Sequence, residues 1–341
     1  MPTMASKDGS RGPENSEAML STARSVIRTC LQVRREEDVL VITDPDTADV
    51  GQALYEEASR VTDRILLVMM PPTQKTGKEP PLPVSDIMRK NRVIIIATKD
   101  SMTHTRARAA ATREGARIVS MPGIGRISFE SGGMTADYNA LQREVSGMGS
   151  IFRRRRRVSV KSEAGTDVEF LTGDRWILED TGICNRPGQI ANLPAGKVFV
   201  LPKEGSMNGT IVIDGSWEGR MLEEPLTLQV EGGIVTEVSG GEFADEISAV
   251  FDVARLGLRS SKRDQVWTVA EFGFGMNPKA ALMGNKVEDL VVRGGAYFGF
   301  GDSTHIGGNA RVGIHLRGSL VDPEVSLEGS VIVSDGKIAT R

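Results

Sequence analysis

Histidine and cysteine are scarce in this chain of 341 residues, which has three histidines (His104, His305 and His315) and two cysteines (Cys30 and Cys184). Two thiols cannot build a zinc–thiolate cluster or a disulfide framework, which suits a reducing, cytoplasmic setting. With so few imidazoles, any metal site must be poor in histidine or rich in carboxylate. Long apolar runs are missing too. No stretch approaches the roughly eighteen residues of a membrane span, and the opening MPTMASKDGSRGPENS has no apolar signal core, so neither membrane insertion nor export is expected. Nor does one charge dominate: 42 Lys and Arg against 45 Asp and Glu leave −3, which gives no general attraction to nucleic acid or lipid.

What is present is globular: 39% hydrophobic and 26% charged residues, in a chain long enough that two domains are the expectation. The first sixteen residues are polar and read as a disordered tail. Residues 17–155 alternate apolar strands (Asp38–Asp44, Arg64–Met70, Arg92–Thr98 and Ala116–Met121) with helical stretches at 17–36, Ala48–Val61 and Thr135–Arg155. Pro71–Pro83 is too rich in proline for either element and reads as an exposed loop. Continuous Val/Ile/Leu runs between helices indicate an α/β domain of Rossmann-like or flavodoxin-like type, with a parallel sheet covered on both faces. From about Val158 the period becomes two. Short strands break at Gly or Pro (VSVKS, DVEFLT, KVFVLP, GTIVIDG, LTLQVEGG, IVTEVSGG), and a helix follows from about Glu242 to Leu256. Residues 156–341 therefore read as a β-rich α+β domain, and of the 38 glycines 27 lie after residue 150.

Nucleotide binding is disfavoured. After the first strand comes Thr43–Asp49, which has three carboxylates and no glycine to bring backbone N–H groups to a phosphate, and Gly123-Ile-Gly125 is an isolated GxG. Ser101–Arg108 (SMTHTRAR) follows the third strand; a Ser/Thr/His cluster at a strand's carboxyl end can bind a ligand, but it reads first as a helix cap that holds the domain interface. The run Arg153–Arg157 sits where a helix ends and a strand begins, which favours a solvated or interface role over nucleic acid. The second part carries more chemistry. Asn192–Val198, Val269–Pro278, Gly294–Gly308 and Ile314–Arg317 set ionisable residues among glycines on apolar strands, as side chains converging on a cleft would be.

These segments, above all NLPAGKVFVLPKEGSMNGTIVIDG, AEFGFGMNP and GDSTHIGG, resemble the aminopeptidase T family of thermophilic metallopeptidases, often labelled leucyl aminopeptidase, from about residue 36 onward. A ring-cleaving branch of the same superfamily resembles 2,5-dihydroxypyridine dioxygenase and uses one iron, so the resemblance does not fix the reaction. In the peptidases two divalent ions activate water for attack on a peptide carbonyl. Matched by position, the glutamate after Pro-x-Gly is Lys197 here, the next glutamate is retained as Glu271, and a histidine is replaced by Tyr297. The His-x-Asp pair becomes His315 and Arg317. Asp302 and His305 resemble a variant found in some relatives, and Thr304 falls near the place of the peptidases' catalytic tyrosine.

The resemblance thus implies an aminopeptidase-like hydrolase with a divergent site, with Glu271, His305 and Lys197 catalytic and Arg317, Tyr297 and Asp302 binding substrate. Glu271 and His315 are the metal ligands that match. A dication beside Lys197 and Arg317 meets a repulsion of about 6–7 kcal/mol per cation at ~5 Å and an effective dielectric near ~20. Full metal occupancy is therefore not expected, and an ion held there would be Zn, Mn, Co or Fe. A one-metal arrangement of Glu271, Asp302, His305 and His315 is the other arrangement the residues allow. The functional alternatives are a repurposed enzyme for a carboxylate-bearing small molecule, the iron-dependent ring-cleaving activity included, and a non-catalytic descendant. The expected partners are a small molecule or short peptide and a second copy in a homodimer, with no nucleic acid and no membrane.

Overall fold

A strand that is apolar on both faces needs a layer on each side, and the first part of the chain is built that way. The computed structural model describes residues 16–153, 155–173 and 178–339; the tail, Ser16 apart, and Arg154 lie outside these. Five parallel strands run in the order Ile65–Met69, Val39–Thr43, Val93–Ala97, Arg117–Ser120 and Ile190–Asn192. Val39, Val41, Val93, Ile95 and Val119 pack with Met19, Ala23, Val50 and Leu54, from the helices Glu17–Ser25 and Ala48–Ser59. The alternate residues Leu40, Ile42, Ile94, Ile96 and Ile118 pack with Val84, Met88, Ala107 and Ala111 on the other face, from the helices Leu82–Met88 and Arg106–Arg113.

The α/β reading with a parallel first sheet and a β-rich second part holds, with differences at the edges of elements. The leading helix ends at Ser25 and continues as a π turn over Val26–Cys30. The proline-rich loop ends early, because Leu82 opens a helix with Pro83 in its first turn, where no N–H is needed. The larger difference is topological. The chain enters its second part with the strand Arg157–Lys161, then returns to give the first sheet its fifth strand, Ile190–Asn192. A division at residue 156 therefore does not separate the two layers. Three residues carry too little pattern to announce a strand.

The second part holds two antiparallel sheets. An eight-stranded sheet runs from Ile234–Ser239 to Lys337–Ile338. A seven-stranded sheet has at its centre His315–Leu320, Ala296–Gly301, Val269–Gly275 and Lys197–Val200, in that order. On one face of this second sheet Phe272, Phe274, Phe298 and Phe300 are buried. They meet Phe170, Phe152 and Trp217 with ring centroids 5.3, 5.8 and 5.4 Å apart. Each such ring contributes roughly 1.5–3 kcal/mol by leaving water, so this face is fixed as core and its opposite face is free to carry function. Of the arginine run, Arg153 pairs with Glu179 at 2.5 Å and Arg157 with Glu169 at 2.5 Å. Among the described residues no helix is long and apolar enough to cross a membrane.

Arg117 ties the first sheet to the segment before it. Its guanidinium makes two bonds of 2.6 Å to the Glu37 carboxylate and a third to the Leu31 carbonyl, with both side chains nearly out of solvent. Burial pushes the Glu37 carboxyl up, but the bonds from Arg117 and the Arg34 N–H outweigh it and hold it below the usual range. The substitution Glu37→Gln leaves the guanidinium buried without its counter-charge. Urea unfolding is expected to show a loss of about 3 kcal/mol, and an unchanged midpoint would contradict the pairing.

Candidate active site

Because side chains alternate across a strand, the phenylalanines that face the core put the intervening residues on the opposite face. Four neighbouring strands thereby present Lys197, Glu271, Tyr297, His315 and Arg317 together. Glycines make the space. A methyl group at Gly299 would lie 2.9 Å from Glu271 Cβ and 2.9 Å from His315 Cε1, and one at Gly273 would lie 2.5 Å from the Tyr297 ring. The Gly-Phe alternation of AEFGFG and YFGFG thus serves two faces, with bulk below and room above.

Glu271 is fully buried and is the hub. Tyr297 donates its phenol to Oε1 at 2.5 Å. Arg317 approaches Oε2 through Nη2 at 3.2 Å and Nε at 3.4 Å. On the same oxygen converge His315 Nε2 at 3.1 Å and His305 Nε2 at 3.5 Å. Burial pushes the Glu271 carboxyl up, yet Arg317 and the two imidazoles outweigh it and hold it well below the usual range. It is a carboxylate. Tyr297 is pushed far up, first by burial and then by Glu271, and remains a phenol.

His315 shows what this arrangement lacks. Its Nδ1 lies 2.8 Å from the Asp302 main-chain carbonyl and its Nε2 lies 3.1 Å from the Glu271 carboxylate, both of which only accept. A neutral imidazole has one N–H and can satisfy one of the two. Burial lowers the His315 pKa, with help from Arg317 and His305 and against the pull of Glu271, so the neutral form is favoured. The carbonyl fixes the proton on Nδ1, and a bare Nε2 then faces a carboxylate oxygen. A cation between them resolves the conflict. Ligand atoms of Glu271, His305 and His315 all lie within 4.8 Å of one another, the only such group of three among the described residues. Two imidazoles and a carboxylate fit one divalent ion of the iron or zinc type. Arg317 weakens the hold by repulsion.

Other residues take different places from those expected. The Asp302 carboxylate does not enter the cluster. It accepts from the Thr304, Val312 and Gly313 N–H groups at 2.9, 2.9 and 3.1 Å and from the Thr304 hydroxyl, shaping the loop that carries His305. Asp302 thus anchors a loop. Tyr297 is fully buried and bonded to Glu271. Lys197 is nearly buried, its ammonium 5.2 Å from the Tyr297 ring centroid and 5.3 Å from that of Phe199.

A cleft of about 410 Å³ opens above this face, lined by Lys197, His315 and Arg317 on one side. Ser101, His104, Pro122 and Asn192, which follow or end parallel strands, also line it, as expected at the carboxyl edge of such a sheet. His104 and His315 flank His305, with ring centroids 5.9 and 4.4 Å away. All three histidines of the chain therefore meet here. His104 was legible as part of a segment open to ligand binding or to capping, with capping favoured. Thr105 does cap the helix Arg106–Arg113, accepting from Arg108 N–H, while His104 lines the cleft. Partial loss of solvent, then His305 and Arg317, push the His104 imidazole down to about 4. A larger groove of about 750 Å³, beside the helix Tyr138–Phe152 and the strand Ser330–Ser334, contains none of these groups.

A family model described as 2,5-dihydroxypyridine 5,6-dioxygenase (NicX) matches residues 18–340. This chain belongs to the NicX family. A curated 2,5-dihydroxypyridine 5,6-dioxygenase of Pseudomonas putida is 24% identical over 213 residues, 58% of this chain and 58% of that protein. The match thus spans under two thirds of the relative's length. Two solved structures share the fold. The 2,5-dihydroxypyridine dioxygenase from Pseudomonas putida superposes with a TM-score of 0.76 at 18% identity, covering 96% of this chain and 99% of that one. AmpT from Thermus thermophilus gives 0.69 at 13% identity, covering 95% and 99%. The fold is shared with both structures, while the family shown is NicX and the expected aminopeptidase identity is not supported.

The glycine argument is open to test. Gly299→Ala forces Glu271 and the His315 ring apart, and overpacking of this kind removes about 1–3 kcal/mol. Thermal and urea unfolding should both report the loss. Wild-type stability with unchanged binding of a divalent ion would contradict the close approach.

Proposed function

We propose that this chain is a metal-dependent ring-cleaving oxygenase acting on a small hydroxylated aromatic or heteroaromatic compound. One divalent ion, iron for this reaction, would be held by Glu271, His305 and His315. The observation that carries the reading is the convergence of two imidazoles and one carboxylate on a single point, a donor set suited to non-haem iron oxygenases. Family membership and the name of the curated relative support the same reading. Such an ion, when bound, supplies the activation of dioxygen and of a ring hydroxyl.

The protein residues supply the rest. Tyr297 and Arg317 fix the Glu271 carboxylate from two sides, and the Asp302 carbonyl fixes the His315 ring. His104 faces the cluster from the first sheet and, being neutral at pH 7, can hydrogen-bond a ring hydroxyl. The hydrolytic reading has less support. On the peptidase resemblance, two carboxylate positions are occupied by Lys197 and Arg317, and no second group of three ligands exists among the described residues.

The test is oxygen uptake by protein loaded anaerobically with one equivalent of Fe²⁺, using 2,5-dihydroxypyridine and a series of hydroxypyridines and dihydroxybenzenes. Uptake matched by loss of the ring's near-ultraviolet absorbance is expected. His305→Ala should lower the rate by more than about a hundredfold. Release of p-nitroaniline from aminoacyl anilides without oxygen uptake would overturn the proposal in favour of hydrolysis.

A further inference from the structure

A buried charge is best satisfied by direct bonds, and among the described residues one cation in the cleft makes none. Four cationic side chains line it: Lys99, Lys197, Lys286 and Arg317. Lys99 pairs with Asp46 at 3.0 Å, Lys286 with Glu218, and Arg317 with Glu271 at 3.2 Å. Lys197, only 9% exposed, has no carboxylate within ion-pair distance and no hydrogen-bond acceptor for its ammonium among the described residues. Asp180, opposite it in strand register, and Glu271 act on the ammonium through space without bonding to it. Gly275, opposite on the other side, has no side chain to offer. The ring faces of Tyr297 and Phe199 provide some compensation. A desolvated ammonium held by two rings and open to a cleft is a receptor for an anion.

A second donor points the same way. Asn192 Oδ1 accepts from the Thr103 hydroxyl at 3.1 Å, which leaves its amide N–H groups without an acceptor in the cleft they line. Arg317 is already committed to Glu271, so it is not the receptor.

From this we infer that the substrate carries a ring carboxylate, received by Lys197 with Asn192 as second donor. The inference rests on the ring-cleaving reading for the word ring and on the geometry alone for the carboxylate. A single ammonium free of direct bonds, beside one amide donor, suits a carboxylate monoanion.

Isothermal titration of the Zn²⁺-loaded full chain with 5-hydroxypyridine-2-carboxylate and with 3-hydroxypyridine compares ligands that differ by the carboxylate alone. Wild type is expected to bind the carboxylate at least about tenfold more tightly, about 1.4 kcal/mol. Lys197→Met should bring that ratio below threefold at little change for 3-hydroxypyridine, and Lys197→Arg should keep it. Equal wild-type affinities, no binding of either probe at millimolar concentration, or an undiminished ratio in Lys197→Met would each overturn the inference. The wild-type comparison decides even if the methionine variant does not fold. A carboxylate preference without oxygen uptake would remove the ring-cleaving reading and leave this one standing.

Discussion

A single buried carboxylate organises the cleft-facing side of the second sheet. Burying Glu271 without partners would cost several kcal/mol after relaxation, and the surrounding residues remove that cost from several directions at once. Tyr297 satisfies one oxygen, while Arg317, His305 and His315 surround the other. These groups come from two strands and one loop, so the carboxylate also ties its own strand to three further segments of the chain. Without it, two imidazoles and a guanidinium would be left close together without their shared counter-charge.

The backbone makes that hub possible. Two strands alternate phenylalanine with glycine, so the sheet is anchored by aromatic packing on one face and stripped of bulk on the other. The parallel sheet then closes the cleft from above, and the link between the two layers is short. Asn192 ends the fifth parallel strand and Lys197 opens a strand of the second sheet, so the pair of donors proposed for the substrate straddles the crossing from one layer to the other.

Much of this was legible in the sequence, for definable reasons. Buried parallel strands are continuous apolar runs, so Val39–Thr43 and Val93–Ala97 stood out to within a residue or two. The segments holding Glu271, His315, Lys197 and Arg317 stood out as polar residues among glycines on apolar strands, and the family resemblance singled out the residues. The missed features depend on partners that periodicity does not encode. Ile190–Asn192 is too short to show a pattern and is a strand only because Arg117–Ser120 offers it an edge. His104 was weighed as part of a ligand-binding cluster but ranked below its threonine neighbour's capping role. Tyr297 and Asp302 are polar residues in the right segments, but one is turned inward beneath Glu271 and the other bonds its own loop. Lys197 and Arg317 looked equivalent as charges, and only the distances separate the cation that makes direct bonds from the one that does not.

Binding of one divalent ion by Glu271 with the two imidazoles is the claim on which the functional reading stands. Anaerobic titration with Co²⁺, followed by visible absorption, tests it most directly. The account predicts saturation at one ion per chain, weaker than in sites without a neighbouring guanidinium, and loss of the signal in Glu271→Gln. No saturable signal up to millimolar Co²⁺, or one that Glu271→Gln leaves intact, would contradict it.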